Sequence, residues 1–457
     1  MQEPTITAIA SALGESSVAL IRVSGPEAIL IVDKIFRGAR SLVEVPSHTV
    51  HYGHIISSDG QAIDEVLVTV MHGPKTYTTE NVVEIGTHGG YDAAQSVLTE
   101  ILRSGARLAM PGEFTKRAFL GGRIDLAQAE GVMELIHAQT SVARKAALLQ
   151  VKGSLTRAIR DIRHTMLEIL AHVEVTIDYP EHDVEDATTE LVRERVLAVR
   201  SELTSLLQTA ENGRILKDGI RVAIIGRPNV GKSTLLNQLS RVDRAIVTDI
   251  PGTTRDILQE HIQIKGVPLY ILDTAGIRET TDVVEEIGVA RSKQAMEDAD
   301  LLLVVIDSGR ALNDTDKELL AVASRRRSLV ILNKVDLPSV VSREDVARFV
   351  PLDDIVPYSV YKISYHSELE DQILQKSSVG KITVADASFI ANSRHISLME
   401  DAVHLLDDVL GSIAMGQTLD LVAVDLKQAW VVLGEVIGET PKDDLLDQIF
   451  SQFCLGK

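Results

Sequence analysis

Between residues 220 and 376, short all-apolar runs recur at regular intervals, with helical patterns filling the gaps. The runs are RVAIIG, PLYILD, DLLLVVID, SLVILNK and DIVPYSV. A strand that is apolar on both faces must be covered on both, so the alternation predicts a parallel sheet between two layers of helix. Directly after the first run comes GRPNVGKS (226–233), and directly after that the helical TLLNQLS. Strand, glycine-rich turn and helix in that order form a phosphate cradle. The glycines let successive backbone N–H groups converge at a helix N-terminus, where an anion is favoured. A chance match to G-x-x-x-x-G-K-[ST] in a chain of this length has odds on the order of one in a hundred.

Further stations follow in the order a P-loop nucleotide hydrolase needs. In the loop, Lys232 is placed to reach the β- and γ-phosphates and Ser233 to ligate Mg²⁺, with Asn229, Val230, Gly231 and Thr234 completing the contact. VTDIPGTTRD (247–256) supplies Thr248, Asp249, Ile250, Pro251, Gly252, Thr253 and Thr254, of which Thr254 is the second hydroxyl for Mg²⁺. DTAG supplies Asp273, Thr274, Ala275 and Gly276; Asp273 would hold a Mg²⁺-bound water, and the Gly276 amide would face the γ-phosphate. NKVD (333–336) contributes Asn333, Lys334 and Asp336 at the end of a buried strand, where such sheets present ligands. Asp336 can accept from the N1–H and exocyclic amine of guanine. Adenine would leave that carboxylate unpaired, so GTP is the expected nucleotide. Ser364, in Ile363-Ser364-Tyr365, is the candidate at the base-stacking station. After DTAG stands Ile277, which can neither donate nor accept a hydrogen bond. Water must be oriented by another group.

The rest of the chain narrows the setting. At 457 residues it exceeds one ordinary core. Its 45% hydrophobic and 24% charged residues are those of a folded soluble protein. No apolar run approaches the roughly eighteen residues of a membrane span, and the start MQEPTITAIASALGESS lacks a basic leader region. A single cysteine excludes an internal disulfide framework, so a cytoplasmic protein without membrane attachment is expected. The net charge of −19 argues against broad binding to nucleic acid, leaving a local basic patch or a second protein as the route to any such partner.

Residues 1–118 mix strands (SVALIRVSG, EVLVTVMHG, VVEIGTHGG) with the helix YDAAQSVLTEILRSG. Residues 119–217 are long, helical in spacing and nearly free of breakers; that texture returns in 378–457 after the α/β segment 218–377. The expected architecture is α/β plus α: an N-terminal α/β domain and a discontinuous helical domain carrying an inserted P-loop (Ras-like) domain.

GPKTYTTENVVEIGTHGG (73–90), PGEFTKRAFLGGRIDLAQAEGVMELIHAQT (111–140), VTDIPGTTRD and the terminal FCLGK resemble the family of tRNA-modification GTPases called MnmE or TrmE, over essentially the whole chain. The resemblance implies that the N-terminal domain binds tetrahydrofolate (as its 5-formyl or methylene derivative) and forms a homodimer. It also implies a partner, the FAD- and NADH-using flavoprotein MnmG (GidA), with which carbon 5 of the wobble uridine of certain tRNAs is modified. By the same resemblance Arg22, Glu84, Arg123 and Lys457 match folate contacts, and Asn229 with the backbone of Thr248, Ile250 and Thr253 matches ligands of an activating K⁺. Glu285 matches a water-orienting glutamate, which would make it catalytic beside Lys232 and Gly276.

Without the family, each of the four folate candidates would default to a solvated surface charge. A folate's anionic tail and its pterin donors and acceptors suit two or three cations beside a carboxylate. Cys454 reads equally as a small buried hydrophobe and as a group near the modification site. The histidines of HTVHYGH lack the Cys or carboxylate that would complete a zinc set, so no transition-metal site is expected. A ribosome-assembly GTPase is the alternative. It would need a basic RNA-binding appendage such as a KH domain, and no basic GXXG region follows residue 376. A dynamin-like protein would need a membrane-binding patch that the sequence lacks.

Overall fold

The computed structural model describes residues 3–12, 14–138, 140–178, 185–242, 260–265, 267–272, 296–377, 392–439, 443–453 and 456. The chain divides into two compact units. One comprises residues 1–133, 156–170 and 426–457, the other 134–155 and 171–425.

The first unit is built on a seven-stranded sheet in the order β3-β4-β5-β6-β2-β1-β7. Its strands are β1 (Ile6–Ile9), β2 (Val18–Ser24), β3 (Phe36–Gly38), β4 (Thr49–Ile56), β5 (Ala62–Met71), β6 (Val82–His88) and β7 (Arg107–Leu108). All pairings are antiparallel except β1 with β7. Alternation along the strands separates two faces. Ile21, Val23, Ile55, Val66, Val68, Val70, Val83 and Ile85 are buried in one core with α1 (Ala28–Ile35) and α2 (Tyr91–Arg103). The opposite face carries Val18, Val50, Tyr52 and Leu67, each more than half exposed. Across that face the register places Val50 opposite Thr69, Thr69 opposite Glu84, and Glu84 opposite Arg22. The end of the chain packs in this unit. Phe450 and Phe453, on and after the helix Asp443–Ser451, join Leu126 and Ala129 in a small core. Gly456, at φ 87, lies so close to β1 that an added Cβ would sit 2.7 Å from the Ile9 carbonyl, so only glycine fits.

The second unit holds a six-stranded sheet in the order β13-β12-β11-β8-β10-β9. Its strands are β8 (Ile220–Ile225), β9 (Glu260–Ile264), β10 (Val267–Leu272), β11 (Leu301–Asp307), β12 (Ser328–Asn333) and β13 (Ile355–Tyr358), all parallel to their neighbours except β9. Successive residues go to opposite layers, as the apolar runs predict. Leu301, Leu303 and Val305 join Leu235, Leu239, Leu369 and Ile373 on one side, while Leu302, Val304 and Ile306 join Leu320, Ala323 and Val346 on the other. Two long helices of the same unit, Glu185–Asp218 and Ser393–Ala414, pack along one another. Their buried residues Val192, Val196, Val199 and Leu203, and Met399, Ala402, Leu406 and Val409, recur at spacings of three and four, which keeps one apolar stripe on each helix. Among the described residues no helix is long and apolar enough to cross a membrane.

Candidate active site

The glycine-rich turn leaves β8 at Gly226 and enters the helix Lys232–Val242, so strand, loop and helix fall where the sequence pattern puts them. The loop is tight at two glycines. A Cβ on Gly226 would come 2.5 Å from the Val305 carbonyl, and one on Gly231 (φ 103) would strike the Asn333 side chain at 2.3 Å. Asn229 adopts a left-handed φ of 61°, which asparagine tolerates better than most residues. Lys232 turns back over the loop, its Nζ donating to the carbonyls of Gly226 and Arg227, both at 2.8 Å. Burial pushes its pKa below the ordinary lysine value. An ammonium held on two carbonyls in a partly dry loop is a ready partner for phosphate oxygens. Ser233 and Thr234 stand exposed at the start of the helix, with the Ser233 hydroxyl accessible to a Mg²⁺ ion. The donor set fits that ion, a hard cation preferring oxygen.

NKVD closes on the same loop. Asn333 Nδ2 donates to the Val230 carbonyl at 2.8 Å, and Lys334 Nζ donates to the Asn229 carbonyl at 3.0 Å and to Asp307 Oδ2 at 2.7 Å. Asp307 ends β11 in register with Asn333. Burial alone would raise the Asp307 carboxyl. The hydrogen bonds from Lys334 and the Gly309 N–H, with the charges of Lys334 and Arg310, outweigh it and hold the pKa below the usual value. Asp336, the candidate guanine reader, accepts from the Ser359 hydroxyl at 2.6 Å. Ser364 is exposed in the first turn of the helix Ile363–Lys376, whereas the fully buried Ser359, directly after β13, is the serine bonded to Asp336. The two serines stand five residues apart in YSVYKIS, and the sequence does not mark where β13 ends. Asp307 was also missed, although its place at the end of an apolar run parallels that of Asn333.

Three of the four folate candidates come together in the first unit. Arg22 donates through Nε to Glu84 Oε1 at 2.8 Å and through Nη1 to the Gly456 carbonyl at 3.1 Å. Its guanidinium carbon lies 5.6 Å from the ring centroids of both Tyr77 and Phe114. Arg123 stands over the same Tyr77 ring at 4.8 Å and donates to the Tyr77 carbonyl at 3.2 Å. Tyr77, which sequence reasoning passed over, is thus the body on which two of the candidate cations meet. Among the described residues no cluster of three or more His, Cys, Asp and Glu is placed to hold a metal ion. Thr248, Asp249, Ile250, Pro251, Gly252, Thr253, Thr254, Asp273, Thr274, Ala275, Gly276, Glu285, Cys454 and Lys457 lie outside the described residues.

A mostly parallel sheet carrying this loop, with Asn333 and Lys334 closing on it and Asp336 directly after them, defines a P-loop GTPase. Comparison with known proteins narrows the class. The family model described as the MnmE helical domain matches residues 126–454, and that described as the GTP-binding protein TrmE N-terminus matches 5–123. A tRNA modification GTPase MnmE of Geobacillus kaustophilus (strain HTA426) is 50% identical over 457 residues, covering 99% of each chain. One from Streptococcus thermophilus (strain CNRZ 1066) is 50% identical over 456 residues, covering 99% of this chain and 98% of its own. The chain belongs to the MnmE family of tRNA modification GTPases and is a GTP-hydrolysing enzyme.

Proposed function

We propose that the protein is a K⁺-activated, Mg²⁺-dependent GTP hydrolase that modifies carbon 5 of the wobble uridine in certain tRNAs, working in the cytoplasm with the flavoprotein MnmG and a folate one-carbon unit. The observation that carries this reading is Arg22, which joins Glu84 on one side and the Gly456 carbonyl on the other. A carboxylate, two guanidiniums and an aromatic ring beside the chain's end suit a folate, whose anionic tail would pair with cations and whose pterin would bond Glu84. Lys457 and Cys454 follow and precede Gly456 closely enough in sequence to serve the same place. Val18, Val50, Tyr52 and Leu67 support dimerisation through the sheet face that also carries Arg22 and Glu84. The domain plan is an N-terminal domain (1–118), a helical domain (119–217 with 378–457) and an inserted GTPase domain (218–377).

In the nucleotide site, Ser233 and Thr254 would hold Mg²⁺, which neutralises charge between the β- and γ-phosphates when bound. Asn229, with the carbonyls of Thr248, Ile250 and Thr253, would hold K⁺. Lys232 leaves the loop carbonyls for the phosphates, and Glu285 orients the water that Ile277 cannot. Nucleoside analysis of tRNA from a strain lacking the gene tests the reading. The expected result is loss of C5-modified wobble uridine, unrestored by an Arg22→Ala, Glu84→Ala variant. Unaltered tRNA with defective ribosome profiles would instead favour a ribosome-assembly GTPase.

A further inference from the structure

The first variable residue of the phosphate loop, Arg227, reaches out of the loop with its side chain. Its Nε lies 2.9 Å from Oδ1 of Asp316, an ion pair in which the carboxylate is fully buried and the arginine one-fifth exposed. Asp316 is the third residue of the helix Asp314–Ala323, and its other oxygen is already used. Oδ2 accepts from the Asn313 N–H at 3.1 Å, while Asn313 Oδ1 accepts from the Asp316 N–H at 2.9 Å, a reciprocal cap on the helix end. One carboxylate therefore serves two structures: Oδ2 closes the helix, and Oδ1 faces the loop. At the other end of Arg227, the backbone carbonyl is one of the two on which Lys232 rests. The loop begins at Gly226, pressed against the Val305 carbonyl of β11.

We propose that the Arg227–Asp316 pair is a positioning device for the phosphate loop, fixing the peptide at 227 in the shape phosphate requires before nucleotide arrives. Lys232 must leave its two carbonyls to reach a phosphate. The loop keeps its curl through that exchange only if something other than Lys232 holds it. Arg227 is that tether: its charge faces the buried Asp316 Oδ1 without a hydrogen bond between them, and separating the two leaves an uncompensated charge in the interior. A loop ordered in advance gives up less freedom on binding, which raises affinity without a direct contact to the ligand. Asp316 and the Arg227 side chain are positioning residues and touch no phosphate.

The bland alternative is that Asp316 only stabilises its helix, and a double-mutant cycle separates the two. In the full-length protein, Asp316→Asn keeps an oxygen for the Asn313 N–H but loses the charge, and Arg227→Gln removes the partner. Each should raise the Kd for a fluorescent GDP analogue roughly 10- to 100-fold. The double variant should be no worse than the more impaired single one, because both act through one interaction. Asn313→Ala, which breaks the helix cap and leaves the ion pair, should lower the Tm while leaving the Kd within about twofold. Arg227→Lys, which restores a cation, should recover part of the affinity lost in Arg227→Gln. The proposal is overturned if Asn313→Ala weakens GDP as much as Asp316→Asn does, if the single effects add, or if Arg227→Gln binds GDP like the unaltered chain. Should Asp316→Asn not fold, Arg227→Gln with its lysine rescue decides the matter alone.

Discussion

Asp336, the proposed guanine reader, accepts from the Ser359 hydroxyl through Oδ1, and the proposal assigns its Oδ2 to the base. Removing that hydroxyl frees the carboxylate to rotate and takes away a hydrogen bond to a charged group, a loss of about 1.5–3 kcal/mol. Ser359→Ala should therefore weaken GDP roughly 10- to 100-fold by nucleotide titration, whereas Ser364→Ala, on an exposed helical turn, should leave it unchanged. An equal effect of the two would undo the assignment. The residues legible in sequence here were those fixed by a motif with rigid spacing, such as Lys232, Asn333 and Asp336. Those that were not, Ser359 and Asp307, are named by where a strand stops, which composition and period locate only to within a few residues. A second residue-scale expectation concerns acid–base behaviour. His88 Nδ1 lies 2.7 Å from Asp64 Oδ1, and that hydrogen bond, then the Asp64 charge, raises the imidazole pKa above 6.5. The stabilisation is complete below the unfolded value near 6.5 and fades as pH rises through the higher folded value. NMR titration should place the His88 midpoint above 6.5, and Asp64→Asn should bring it down; an unmoved midpoint would assign the shift to another cause.

At the scale of elements, the sheet of the second unit was the most legible part, because five all-apolar runs leave almost no other way to satisfy both faces. β9 was not, since EHIQI alternates polar and apolar residues at a sheet edge and its pairing with β10 is a tertiary fact. β1, β3 and β7, of four, three and two residues, are too short to carry a period. The helices Glu185–Asp218 and Ser393–Ala414 were read as helices from spacing, but their pairing, in which Arg200 meets Asp407, 207 residues further on, was not. Their contact is held by the apolar stripe and by the Arg200–Asp407 ion pair, which is half in solvent and contributes little. Leu406 is fully buried in that stripe. Leu406→Ala should cost about 2–5 kcal/mol, the range for such truncations, seen as an earlier loss of helical circular dichroism in urea. Arg200→Ala should shift that midpoint far less, and the reverse ranking would mean that charge, not packing, joins the two helices.

On the scale of the molecule, the candidate nucleotide site and the N-terminal cluster are made of different residues in different compact units. The phosphate loop, NKVD and Ser359 belong to the second unit, while Arg22, Glu84, Tyr77, Arg123 and Gly456 belong to the first. A net charge of −19 further separates the tasks, since it leaves the chain no broad electrostatic attraction for tRNA and puts the weight of substrate capture on specific contacts. The two chemistries should therefore be separable by surgery. Deleting FCLGK removes the Gly456 carbonyl from Arg22 and, with it, Cys454 and Lys457, but touches none of the groups that hold nucleotide. It also removes Phe453 from the small core with Leu126 and Phe450, so the cleaner variant begins after Phe453 and deletes only residues 454–457. That protein should hydrolyse GTP in KCl at close to the full rate and bind GDP normally, while failing to restore modified wobble uridine to a deficient strain. Arg22→Ala should behave the same way, because it breaks the same junction from the other side. If the truncated protein modifies tRNA normally, the N-terminal cluster is structural. If it modifies nothing and also loses hydrolysis, the two units are coupled more tightly than their separate sets of residues suggest.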